Sequence, residues 1–181
     1  MKLLVFVAVF VPAFLAIQAT HDMGNLINGF ATMFEIKTED VETCIRQMSV
    51  TIEDFQLLGT VISDPDISEV EEGNKLYEAP GRRSMRRALC VITCCAQKQG
   101  SMIGSQIQMP VLQNMIKKMT IPREEKLFFS VAVAECNEEG RQPAKEAIYI
   151  ARKQVRDITD ECDVTFRFIR CVALKVAYFG L

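Results

Sequence analysis

The residues with the clearest chemistry in this chain are seven cysteines: Cys44, Cys90, Cys94, Cys95, Cys136, Cys162 and Cys171. Thiols that hold a metal are spaced in short paired clusters, often with histidines, and that pattern is missing here. His21 is the only histidine and lies near the N-terminus. No Ser-His-Asp or Cys-His arrangement can be built around it deep in a fold. Carboxylates are plentiful, but they fall in loops and in the first turns of helices, where solvation and the helix dipole account for them. No catalytic residue, metal ligand or cofactor is therefore expected, and the chain is not read as an enzyme. What the cysteines can do is pair.

Pairing needs an oxidising compartment, and the N-terminus points to one. Met1-Lys2 is a short basic start, Leu3 to Ile17 is apolar and broken only by Pro12, and Ala19 is a small residue at a cleavage position. This reads as a secretory signal peptide over residues 1–19, too short to span a membrane comfortably. A secreted chain beginning at Thr20 or His21 would keep all seven cysteines, mostly as disulfides. Six cysteines allow many pairings, and composition does not choose among them. Residues 20–181 have the length of one ordinary domain. The formal net charge of −2 lacks the basic excess of a nucleic-acid binder, so no nucleic-acid partner is expected.

The elements that must position these cysteines read as helices almost throughout; sustained period-2 alternation is absent. Thr38-Glu39-Asp40 has a capping hydroxyl and an acidic first turn, and Val41, Cys44, Ile45 and Met48 follow at helical spacing. Thr51 begins a second helix, with Ile52, Phe55, Leu58 and Ile62 on one side. From Ser63 to Arg83 the pattern gives way to an acidic excursion rich in turn residues, and then to the basic cluster Arg82, Arg83, Arg86 and Arg87. That pairing reads as a solvated loop meeting a solvated helix start, with a partner- or membrane-contact patch as the alternative. Ser84 caps a third helix running to about Gln99, and Gly100 to Gly104 is a break. Pro110 opens a fourth helix with Val111, Leu112, Met115, Ile116 and Met119 on its apolar face. Pro122 opens a fifth, carrying Leu127, Phe128, Val131, Ala132 and Ala134 towards Cys136. Asn137 to Gln142 reads as a turn. Pro143 starts another helix, striped by Ala144, Ile148, Ala151, Val155 and Ile158. Cys162, Phe166, Ile169 and Val172 continue into an apolar tail with Tyr178 and Phe179.

On these helices Cys90 and Cys94, four residues apart, are separated by about 400° and share a face, whereas nine residues, about 900°, set Cys162 and Cys171 on opposite sides. One helix can thus be tied to two partners. The chain also holds nine Met and eleven Phe, a flexible apolar set that suits either plain core packing or an adaptable ligand cavity.

Cys90-Val-Ile-Thr-Cys94 and the Cys-x8-Cys spacing of Cys162 and Cys171 resemble the six-cysteine signature of insect odorant-binding proteins. Cys44 takes the first place and Cys136 the fourth, and the 41 residues between Cys94 and Cys136 are similar in number to the family's. The chain departs from the pattern in its 45 residues between Cys44 and Cys90, its 25 between Cys136 and Cys162, and the additional Cys95. The resemblance implies an all-α bundle of about six to seven helices, braced by three interlocked disulfides around an apolar cavity. It implies the pairs Cys44–Cys94, Cys90–Cys162 and Cys136–Cys171, with Cys95 as the spare; that thiol is either buried and inert, the favoured reading, or free to pair two chains. Other Cys-Cys proteins fit less well. Secreted phospholipase A2 needs a His-Asp pair where Ala96-Gln97-Lys98-Gln99 stands, and plant lipid-transfer proteins need a Cys-x-Cys element.

The function that this resemblance implies is a secreted carrier of small apolar ligands, odorants or pheromones, that releases them near a membrane odorant receptor. The expected lining is Met48, Phe55, Leu58, Met115, Met119, Phe128, Val131, Phe166 and Ile169, with Tyr178 and Phe179 closing the cavity from the tail. With one terminal histidine, a histidine-based acid release is not expected. The carrier is expected to be a monomer or a weak homodimer. The alternatives are an interaction protein working through the acidic 63–83 loop and a non-olfactory lipid or hormone carrier.

Overall fold

The computed structural model describes residues 22–63, 82–141 and 161–178. The segment expected to be a signal peptide, His21, positions 64–81 of the acidic excursion, the striped segment from Pro143 and Phe179 lie outside them, as does the side chain of Tyr178. The protein is all-α, with seven helices among the described residues. These fall into two compact units that divide at the Gln99–Gly100 junction.

The first unit holds α1 (Met23–Phe34), α2 (Thr38–Met48), α3 (Ile52–Ser63) and α4 (Arg82–Gln99). Helix α1 was not legible as a separate element. Asp22 caps it, accepting from the Gly24 N–H at 2.9 Å, and it buries Leu26, Phe30 and Phe34 at successive four-residue steps. Helix α2 begins at Thr38, but that hydroxyl is not the cap. Lys37 occupies the cap position with no side-chain bond, and its carbonyl accepts from Asp40 and Val41. Both helices end in a left-handed residue that is not glycine, Glu35 (φ 52°) and Ser49 (φ 50°). The N–H of each closes the last turn by bonding back to helix carbonyls, as a C-cap in this conformation does.

Helix α4 is the hub of this unit and packs against α1, α2 and α3. It starts at Arg82, two residues before the expected Ser84 cap. Its wide buried face carries Met85, Ala88, Leu89, Val91, Ile92 and Cys95. Cys44 on α2 bonds to Cys94 on α4, with Cα atoms 5.8 Å apart. A loop of this length removes about 4 kcal/mol of chain entropy from the unfolded state. Lys98 and Asp40 add an exposed ion pair at 3.5 Å, of a kind that contributes little.

The second unit starts at Gly100, whose φ of 87° ends α4 in a conformation open to glycine. Where the sequence suggested only a break, there is a small antiparallel hairpin, β1 (Met102–Ile103) and β2 (Gln106–Ile107). Gly104, first of its two loop residues, has φ 56°, at the position where primed hairpin turns take glycine. Helix α5 (Met109–Lys118) carries Pro110 in its first turn and buries Ile116. Met119 lies just past its end as the C-cap. Lys126 of the next helix donates its Nζ to the Lys117 carbonyl at 2.8 Å, filling one of the acceptors that a helix end leaves open.

Helix α6 (Arg123–Arg141) runs through the stretch read as a turn. Asn137 and Gly140 cost a helix interior less than about 1 kcal/mol each, too little to stop it beside Glu138, Glu139 and Arg141. Its phase also differs from the expected one. The buried side is Phe129, Ala132, Val133 and Cys136, while Leu127 and Val131 are 68% and 47% exposed. Helix α7 (Glu161–Tyr178) packs on α6, tied by Cys136–Cys171 with a Cα separation of 5.7 Å and by Lys175–Glu135 at 3.0 Å. Cys90 and Cys162 each also take part in a disulfide, which leaves Cys95 as the free thiol.

Candidate functional site

The residues expected to line a cavity divide between the two units. In the first, Phe55 and Leu58 are fully buried. The Phe55 ring lies 5.5 Å from that of Phe30, which is 6.1 Å from that of Phe34, with the rings tilted. Aromatic pairs at this separation favour one another beyond the burial of their surface. Sequence reasoning missed Phe30 and Phe34, although their four-residue spacing behind the Asp22 cap was available as a signal. Met48, at the end of α2, is half-buried.

Beside Phe55 the chain buries a charge. Asp54 is 5% exposed and bridges two helices. Its carboxylate accepts from the Thr51 N–H at 3.0 Å, the return arm of a capping box, and from Arg87 of α4 at 3.1 and 3.3 Å. Burial alone would raise its pKa. Hydrogen bonds from Ser84, the Thr51 N–H and Arg87, together with the Arg87 charge, outweigh burial and hold the carboxyl below its ordinary value. Arg87 thus belongs to a structural pair, while Arg83 and Arg86 are exposed. Cys95 is fully buried. Burial, with a smaller push from Asp40, drives its thiol up to about 12, so it stays protonated and a poor nucleophile at neutral pH.

In the second unit the candidates sit differently. Met115 on α5, Met119 at its end, Phe128 on α6, and Phe166 and Ile169 on α7 are all half-buried. They ride on helices that pack in sequence, α5 on α6 and α6 on α7. Val131 instead faces solvent, on the side of α6 away from Phe129, Val133 and Cys136. Among the fully buried groups of this unit, Thr165 donates to the Glu161 carbonyl at 3.0 Å and lies 3.3 Å from the Met102 sulfur, which fixes α7 against the hairpin. Among the described residues, no group of three or more His, Cys, Asp or Glu could hold a metal, and no helix is long and apolar enough to cross a membrane. No protein-family model, no curated protein and no solved structure matches the chain, so the likeness to odorant-binding proteins rests on the cysteine spacing and helical order of the chain itself.

Proposed function

We propose that the protein is a secreted, non-enzymatic carrier of small hydrophobic molecules, and that the ligand binds in the second unit against Met115, Met119, Phe128, Phe166 and Ile169. The observation that carries this reading is the partial burial of these five residues. Large apolar groups on packed helices are normally sealed, as Phe55 and Leu58 are in the first unit. These five keep part of their surface open beside the sealed Ile116, Phe129 and Val133, on a frame braced by Cys136–Cys171. Covering that surface with an apolar ligand gains roughly 25 cal/mol per Å², and Met side chains adapt to varied shapes. The disulfides suit an oxidising, extracellular setting. Odorants or pheromones are the ligand class that the cysteine signature implies.

A fluorescent naphthylamine probe tests the reading. It is expected to brighten and shift to the blue on addition of the disulfide-bonded protein, and to be displaced by apolar volatiles. Phe166→Ala is expected to weaken probe binding at least tenfold while Phe55→Leu, in the sealed core, leaves it within twofold. A probe that never binds, or that binds equally well to Phe166→Ala with its helical circular dichroism intact, sinks the proposal.

A further inference from the structure

One face of α6 is exposed and apolar, and its charges are arranged to match themselves. Arg123, Leu127, Val131 and Glu135 follow one another at four-residue steps and are all exposed. Leu127 is 68% and Val131 47% exposed, and the Glu135 side chain is 54% exposed even though it pairs with Lys175. Residues four apart form the ridge by which helices most often pack. This ridge reads basic, apolar, apolar, acidic along the chain. Turned end for end, it reads acidic, apolar, apolar, basic, which is its own complement.

We infer that this ridge is a self-association surface, and that its occupant is the same ridge of a second copy, antiparallel, about a two-fold axis that crosses the exposed face midway between Leu127 and Val131, opposite the buried Phe129. In that register Leu127 meets Val131 of the partner subunit, and Arg123 meets Glu135 of the partner subunit. Both contacts occur twice, as a two-fold interface requires. Ridges of this type interdigitate at a crossing angle of about −50°. Ser130 and Ala134, beside the ridge, are small enough to let the backbones approach. The exposed ion pairs add little affinity, but they fix orientation, because a parallel arrangement sets Arg123 against Arg123 and Glu135 against Glu135. One ridge per copy is a small contact, so the dimer is a weak one, populated only at high concentration.

Sedimentation velocity on the full disulfide-bonded protein, from micromolar to near-millimolar, tests this inference independently of any ligand. The wild type is expected to shift from monomer towards dimer with rising concentration, and Leu127→Glu to weaken that shift at least tenfold. Arg123→Glu alone and Glu135→Arg alone are each expected to stay monomeric, since each sets like charges face to face. An equimolar mixture of the two is expected to associate, because both cross-pairs are then opposite in charge. Circular dichroism confirms that each variant is folded. A wild type that is monomeric throughout overturns the proposal and leaves the ridge to some other occupant. A dimer indifferent to Leu127→Glu, or a mixture no more associated than its components, overturns it equally.

Discussion

Replacing Asp54 by Ala should cost the fold about 2 kcal/mol at neutral pH, and the loss should depend on pH. The carboxylate has three partners. Ser84 is only half-buried and turns to water once released, so the cost lies in the other two, which differ in kind. Removing the acceptor at 3.0 Å from the Thr51 N–H strips the start of α3 of a cap, worth about 1 kcal/mol. Removing the partner of Arg87 at 3.1 Å breaks a charge-assisted bond, which contributes about 1.5–3 kcal/mol when both groups are buried. The Arg87 side chain is 44% exposed and finds water once released, so its share falls to about 1 kcal/mol. In urea titrations this appears as a midpoint lowered by about 1 M. The pH profile follows from the direction of the shift. Asp54 has a lower pKa folded than unfolded, so its contribution is complete above the ordinary carboxylate pKa and is lost as the pH falls through the folded value. The gap between wild type and Asp54→Ala should be flat from pH 8 to about pH 5 and narrow below about pH 4. A gap under about 0.5 kcal/mol at neutral pH, or one that stays constant into the acid range, would refute the reasoning.

Two more outcomes are expected. Cys95, buried and with its thiol up near 12, should resist iodoacetamide at pH 8 in the folded protein and label quantitatively in denaturant. Rapid labelling without denaturant, or a non-reducing peptide map that finds Cys95 in a disulfide, would contradict its placement. The double variant Cys136→Ser/Cys171→Ser opens a crosslink spanning 35 positions and should lose about 3–4 kcal/mol in chemical denaturation. A loss below about 1 kcal/mol would mean that the Lys175–Glu135 pair and the packing of α7 on α6 hold that unit without the bond.

The helical class was readable because apolar residues recur at helical intervals over long stretches, and Thr38 to Met48 or Pro110 to Lys118 show this cleanly. Helix α1 escaped because Gly24 and Gly29 interrupt a short apolar run, and its cap, Asp22, stands close behind the apolar N-terminal stretch. The hairpin escaped because its strands are two residues each, too short for alternation to register, although Gly104-Ser105 is a turn signal. The phase of α6 was misjudged because Leu127, Phe128 and Phe129 are consecutive and all apolar, so periodicity alone cannot say which one faces inward. The candidate site was less legible than the fold for a further reason. Spacing tells which face of a helix is turned from water, but not whether that face meets protein or ligand. Phe55 and Phe166 look alike in sequence, yet one is sealed and the other half-open.

The adjacency of Cys94 and Cys95 bears on how the molecule must be made. In an unstructured chain Cys44 encounters both thiols with nearly equal ease, since they are neighbours. What separates them is a rotation of about 100° around the axis of α4, and that rotation has meaning only once α4 exists and has turned Leu89, Ile92 and Cys95 inward. The geometry that tells Cys94 from Cys95 is thus present only after this helix has coiled and docked. A bond formed too early has no basis for choosing correctly, and a wrong Cys44–Cys95 link must be undone by thiol–disulfide exchange before α4 can settle. Once docking is complete the route closes behind it. The leftover thiol is buried and holds its proton, so it can no longer attack the bond beside it, and the finished crosslink is kept by kinetics as well as by its own stability.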